Sequence, residues 1–451
     1  MKMNRKKTNI GRSALALVFC GAVLTGCRAG AYSAVEAEYP EMPPYPGDEA
    51  SLGHEARHDA WNEARKALRN QPDGYRDGLD GYFTAVIREF MTDTDGENRV
   101  FSPLSLYSAL AMTAETAAGE SRDQILALLG YDDMDTLRRN AKSVWEANYI
   151  DDGASKSILA NSLWLNDDVQ YNTETLNTLA SDYYASSFSG DMGSDGYNAA
   201  LQTWLNEQTG GLLADCAAEE QMDAETVMAL ISSVSYSGRW MGEFSESKTE
   251  SGVFHGAGGD ETAQFMQKKE IDDYYYWADS FAAYYMDLEN VGGMWFVLPD
   301  EGVTPDDVLA GEDFCRLILD RINTAESEWE DRVYIKINVG IPKFSVQSEL
   351  ALAEGLGNLG VTDVFSPKNA DFSPLTAESD EPVWLDGATQ AVTLEIDEEG
   401  ITAAAYTKMR YYGAPPPPED VVDFICDRPF LFAVMSNDGL PMFTGVVNSV
   451  E

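Results

Sequence analysis

The stretch from Glu395 to Pro418, E-I-D-E-E-G-I-T-A-A-A-Y-T-K-M-R-Y-Y-G-A-P-P-P-P, constrains the fold most. From Ile401 to Tyr411 alternate residues are Ile, Ala, Ala, Thr, Met and Tyr; from Thr402 to Tyr412 they are Thr, Ala, Tyr, Lys, Arg and Tyr. A period of two marks a strand with one small, mostly apolar face and one wetter face. Gly400 precedes it as a hinge, since glycine takes backbone angles closed to other residues. Pro415 to Pro418 end it, because proline has no N–H for a ladder and favours an extended rod. The segment can therefore enter a sheet as far as Ala414. A short edge strand or a loop with an accidental alternation is the plainer alternative.

Composition limits the function classes. The chain has 451 residues, is 44% hydrophobic and 11% aromatic, and can bury a large core. Its formal net charge of -45 repels nucleic acid and favours a hydrated surface. Lys2, Arg5, Lys6, Lys7 and Arg12 precede the apolar run Ala14 to Val23 and then Leu24-Thr25-Gly26-Cys27. That order is the pattern of an export signal, residues 1–26, and its last four residues resemble a bacterial lipobox with Cys27 as the lipidated residue. The apolar run is shorter than the ~20 residues a membrane span needs. The expectation is a chain lipid-anchored at Cys27 on the extracellular face of a bacterial membrane. Beside Cys27, only Cys216, Cys315 and Cys426 remain after processing, and an odd number of free cysteines does not build a disulfide framework.

Residues 27–76 read as a lipidated tether. Arg28 to Asp48, rich in proline and acid, suits a spacer holding a domain off the membrane. A polar helix is expected from His54 to Asn70. Within it His54-Glu55-Ala56-Arg57-His58 matches the H-E-x-x-H zinc-protease pattern. The surroundings are polar and the only other histidine is His255, so a solvated helix is the better reading and no metal is assigned. The folded domain is expected over 77–451. It opens on a helical stripe of Leu79, Tyr82, Phe83, Val86, Ile87 and Phe90, then a helix start at Ser102-Pro103.

Glu398-Glu399-Gly400 followed by Ala403-Ala404-Ala405 resembles the hinge of a serpin reactive loop, and Phe424 to Phe430 lies where that family returns to its core. Further blocks come in the family's order. They include Asn98 to Met112, Asn161-Ser162-Leu163-Trp164-Leu165, Gly238-Arg239-Trp240, Ile341-Pro342-Lys343-Phe344 and Phe443-Thr444-Gly445. Together they span about residues 77 to 451.

The resemblance implies an α+β serpin fold of three sheets and about eight or nine helices, with the reactive loop, about 398–423, exposed at one end. It implies suicide inhibition of a serine protease and no enzyme activity, catalytic residue or cofactor. The target attacks the loop, forms an acyl-enzyme, and is dragged to the far end as about 401–413 inserts as a new central strand; strain in a trapped native state drives the step. The hinge would be Glu398, Glu399, Gly400, Ile401, Thr402, Ala403, Ala404 and Ala405. Inward-facing Ile401, Ala403, Ala405, Thr407, Met409 and Tyr411 suit burial, while Lys408 and Arg410 face water. Ile401 stands where the family usually has Thr or Ser.

The family register puts the cut at Ala414–Pro415, a bond most serine proteases resist. Stopping at Lys408 would shorten the insert by ~20 Å at ~3.3 Å per residue. The useful window therefore holds Arg410, Tyr411, Tyr412, Gly413 and Ala414. Cutting at Tyr412–Gly413, the favoured bond, suits a chymotrypsin-like target, Arg410–Tyr411 a trypsin-like one, and Gly413–Ala414 an elastase- or subtilisin-like one. Ser102, Ser105, Ser232, Trp240 and Gln390 fall where the central sheet must part. Ser232 and Gln390 replace the family's frequent Asn and His, and both can hydrogen-bond. The chain is expected to be monomeric. The alternatives are a non-inhibitory serpin, cleavable substrate or binding scaffold, an anchored zinc protease through His54 and His58, and a surface lipoprotein that binds small solutes.

Overall fold

The computed structural model describes residues 31–47, 53–208, 221–224, 226–320, 327–376, 383–401 and 420–450. Its helices are α1 (His54–Arg69), α2 (Leu79–Met91), α3 (Pro103–Thr116), α4 (Gly119–Leu129), α5 (Met134–Asn148), α6 (Thr173–Asp182), α7 (Asp195–Gln208), α8 (Pro305–Ala310), α9 (Asp313–Leu319) and α10 (Ala353–Asn358). The first strands are β1 (Ser33–Val35), β2 (Arg99–Phe101), β3 (Ile150–Asp151), β4 (Lys156–Asn166), β5 (Ala185–Gly190) and β6 (Met228–Arg239). Then come β7 (Glu250–Gly256), β8 (Gly259–Trp277), β9 (Phe281–Leu288), β10 (Gly292–Pro299), β11 (Arg332–Pro342) and β12 (Phe344–Ala351). The last are β13 (Thr389–Ile396), β14 (Gly400–Ile401), β15 (Val421–Ile425), β16 (Phe430–Met435) and β17 (Pro441–Val447).

The central sheet has the order β1-β5-β4-β6-β14-β13-β12, with β3 on β4. The remaining strands follow β15-β11-β8-β9-β10-β16-β17-β2, with β7 on β8. The link between β8 and β9 in that path is short, Tyr276 opposite Ala283 and Trp277 opposite Ala282. Among the described residues there are ten α-helices, nine of them (α2 to α10) within residues 77–451, in line with the eight or nine expected of that domain.

The best-patterned segments fold as their sequence dictates. In α2 the stripe Leu79, Tyr82, Phe83, Val86, Ile87 and Phe90 is buried. In α3 the Ser102 side chain accepts from the Ser105 amide at 3.3 Å and Pro103 occupies the first turn. Nearly every α3 residue is buried, as for a helix apolar on all sides, and it lies beneath the central sheet against β6 and β17.

The structure differs at the expected spacer. Residues 31–47 lie along the domain. β1 pairs antiparallel with β5, and the Ala37 amide donates to Ser186 Oγ at 3.1 Å. The Tyr39 ring sits 4.9 Å from Trp145, 5.8 Å from Tyr149 and 6.1 Å from Tyr184. α1 matches the expected helix but is docked on one side. Trp61 is buried with Nε1 donating to Asp152 Oδ2 at 3.0 Å, and Arg65 donates to Asn290 Oδ1 at 2.9 Å. A mostly polar helix with one aromatic anchor gave no apolar stripe to read.

Candidate functional site

The chain turns back on itself after β13. Asp397 Oδ1 accepts from the amides of Glu399 at 2.9 Å and Gly400 at 3.1 Å, a local aspartate turn. β14 then returns antiparallel, with Ile401 opposite Ile396 on one side and Gly238 on the other. Gly400 faces Arg239. A Cβ on Gly400 would lie 2.2 Å from the Gly238 carbonyl oxygen, so only glycine fits there. Ile401 is fully buried.

β14 is the strand between β6 and β13, and among the described residues those two do not pair with each other. At ~4.8 Å per strand, the sheet is opened by one strand width at Ile401.

The turn is held from the segment after β6. The amides of Trp240 and Phe244 each donate at 3.0 Å, to the carbonyls of Glu399 and Glu398. Trp240 Nε1 donates to the Asp397 carbonyl at 2.9 Å, and its ring packs near Phe244 and Phe296. Trp240 is thus both core packing and a direct grip on the hinge.

Glu398 is the charged member. Its Oε2 lies 2.7 Å from Lys343 Nζ, and Oε1 accepts from Thr249 Oγ1 at 2.7 Å. Burial pushes this carboxyl up, but the bonds from Lys343 and Thr249 outweigh it and hold the group below its usual range. The same pairing raises Lys343.

Below the hinge, the start of α3 touches both parted strands. Gln390 of β13 exchanges two bonds with Ser102, accepting from its amide at 2.7 Å and donating to its carbonyl at 3.0 Å. Ser105 Oγ donates to the Ser232 carbonyl of β6 at 3.1 Å and lies 3.4 Å from Ser232 Oγ. Ser102 Oγ donates to the Met442 carbonyl at 2.7 Å. Ser232 and Gln390 do not bond to each other among the described residues; each is tied to α3 separately.

The structure therefore brings Glu398, Glu399, Gly400, Ile401 and Trp240 together at one end of the sheet, with Ser102, Ser105, Ser232 and Gln390 as a second cluster beneath. Thr402, Ala403, Ala404, Ala405, Arg410, Tyr411, Tyr412, Gly413, Ala414 and Cys27 lie outside the described residues. Sequence reasoning missed Lys343 and Thr249 as partners of Glu398, and Asp397 as the turn former. An Asp three residues before Gly was a readable turn signal for the last. The histidines of the zinc-like motif point to other partners: His54 Nε2 lies 2.7 Å from the Gly47 carbonyl and His58 Nδ1 2.8 Å from Asn62. Among the described residues no group of three or more His, Cys, Asp or Glu could hold a metal.

The comparisons fit this geometry. The family model for serpins, described as serine protease inhibitors, matches residues 82–450. Serpin-ZX of Arabidopsis thaliana is 27% identical over 379 residues, covering 79% of this chain and 93% of the relative. Plasminogen activator inhibitor 1 of Sus scrofa is 27% identical over 378 residues, covering 80% and 89%. Among solved structures, the thermophilic serpin tengpin in its native state superposes with a TM-score of 0.71 at 22% identity, covering 92% of this chain and 100% of tengpin. With the family model covering the whole body from α2 to the last strand, and the hinge seated between β6 and β13, the chain belongs to the serpin family.

Proposed function

We propose that this chain is a suicide-type inhibitor of serine proteases, lipid-anchored through Cys27 on the extracellular face of a bacterial membrane. One observation carries the inhibitor reading: the first residues of the loop already occupy a strand position between β6 and β13. A strand that begins there continues by extending the same two ladders, so the free ends made by cleavage have a place to go. The target's serine oxygen attacks the loop carbonyl, the peptide C–N bond breaks, and the leaving amine takes the proton that the target's base removed from the serine. The ester stays intact because insertion distorts the site that would activate water. The chain acts as a substrate that is not released, and no catalysis is assigned to it.

The target is chymotrypsin-, trypsin-, elastase- or subtilisin-like, with Tyr412–Gly413 as the bond. Plasminogen activator inhibitor 1 is named for inhibition, which supports the class of partner. The test mixes the soluble domain with one protease of each kind and resolves the products on a denaturing gel. The expected result is a covalent adduct and a released C-terminal peptide starting between Tyr411 and Ala414. Complete cleavage with active protease across the panel would sink the inhibitor reading and leave a cleavable substrate or binding scaffold.

A further inference from the structure

We propose that the end of the central sheet opposite the loop is the membrane-facing pole, so that this chain presents its loop away from the lipid surface. The inference rests on the lipid anchor at Cys27 proposed above, and is carried by the path of the docked N-terminal segment.

Strand registers fix that path. Ser33 lies opposite Phe188 of β5, Phe188 opposite Trp164 of β4, and Trp164 opposite Ala229 of β6. Gly400 lies opposite Arg239, at the other end of β6. Ten steps along the strand separate Ala229 from Arg239, which is ~33 Å at ~3.3 Å each. From Ser33 the chain climbs toward the loop end. Ala37 bonds to Ser186, Tyr39 packs on Trp145, and the Tyr45 amide donates at 2.8 Å to the carbonyl of Asp152, in the turn that leads into β4. Lys156 of β4 then pairs with Ser237, close to Arg239.

The number of residues between Cys27 and the docked segment decides the orientation. Four peptide steps join Cys27 to Ala31, a reach of at most ~15 Å. A domain of ~400 residues has a radius of gyration of ~21 Å and is therefore ~50 Å across. A leash that short cannot swing the loop end down to the bilayer. Had all fifty steps from Cys27 to Asp77 been free, the reach would be ~165 Å and every orientation would be open.

Two contacts keep the leash short. The Tyr32 ring lies 5.0 Å from Tyr197, and its hydroxyl is where a Cβ on Gly196 would come within 3.0 Å. Tyr39 is held among Trp145, Tyr149 and Tyr184. Asp167, Asp168, Asp191 and Asp195 are exposed around the same pole. Anionic headgroups repel them, so the acyl chain and not surface adhesion holds this pole near the lipid.

The test uses the full lipidated chain in phosphatidylethanolamine–phosphatidylglycerol vesicles that carry an energy-transfer acceptor on their headgroups. Cys216→Ser leaves Cys315 and Cys426, both buried, as the remaining native thiols of the domain. A donor dye is placed at Asp168→Cys in one preparation and at Ser247→Cys, on the loop side, in another. Transfer is expected to be several-fold stronger from position 168, and Tyr32→Ala with Tyr39→Ala should shrink the difference by lengthening the leash. Equal transfer, or stronger transfer from position 247, overturns the orientation, and an unchanged difference in the double variant overturns the role of the two tyrosines. If the wild-type chain does not float with vesicles, the anchor reading itself fails and the orientation falls with it.

Discussion

Two short strands extend the same sheet, and they are held by opposite means. β1 adds to the outer edge of β5, where no existing ladder must open, and its segment is fixed by aromatic contacts of Tyr32 and Tyr39. β14 sits in the middle of the sheet, between strands that must be apart to admit it, and is fixed by backbone bonds and a half-exposed charge pair. An edge strand protects a row of open donors and acceptors at little cost. A strand inserted in the middle replaces another pairing, so its depth can be set by a latch. Here Trp240, Thr249 and Lys343 grip residues 397–399, and the start of α3 is tied to both flanking strands.

The comparison can be broken most severely at Gly400. Gly400→Val puts side-chain atoms onto the Gly238 carbonyl, 2.2 Å from the Cβ position. Overpacking of this kind costs about 1–3 kcal/mol. Covalent adduct should fall ~5- to 150-fold if every kcal/mol is lost from insertion, read on the denaturing gel beside a urea midpoint. Next is the edge. Tyr39→Ala should lower stability by about 2 kcal/mol through lost aromatic burial, with adduct yield unchanged. A matching loss of adduct would show that edge and centre are one device.

The charge pair comes third. Glu398→Gln should cost about 1 kcal/mol, the usual worth of a hydrogen-bonded group in a half-exposed pair. Its pH signature is more telling. Glu398 is depressed in the folded state, so its contribution is present above the unfolded carboxylate value of about 4.3 and is lost as pH falls through the lower folded value. Thermal melts of the wild type should show that acid loss at the hinge and Glu398→Gln should lack it. The raised Lys343 contributes in the opposite sense, at full strength up to the usual lysine range and lost only above it. The smallest effect is expected at Ser105→Ala, about 0.5–1 kcal/mol for one modest bond to Ser232. Equilibrium unfolding would resolve it, and a larger value would make α3 a stronger tie than its geometry indicates.

Periodic and punctuated segments were legible in the sequence. α2 followed from its apolar stripe, α3 from Ser102-Pro103, and the hinge from Gly400 before a run of small residues. Contacts between distant, unpatterned residues were not. Lys343 lies 55 positions from Glu398, and nothing in the local spelling of either segment names the other. The docked edge segment was illegible for a related reason: prolines and acids hide any period, and its partners come from elements as distant as α5, β5 and α7. The three tyrosines at 32, 39 and 45 were its one signal, an apolar face spelled too sparsely to read as a strand or helix.

The central claim is that the sheet accepts a new strand between β6 and β13, continuing β14. Thermal unfolding of the soluble domain before and after a single cut between Arg410 and Ala414 tests it most directly. A full insert should raise Tm by about 5 °C or more, since a new buried strand adds several kcal/mol to a domain of this size. A Tm that stays level or falls after cleavage would mean that β14 ends where it begins, as a hinge with no strand to follow.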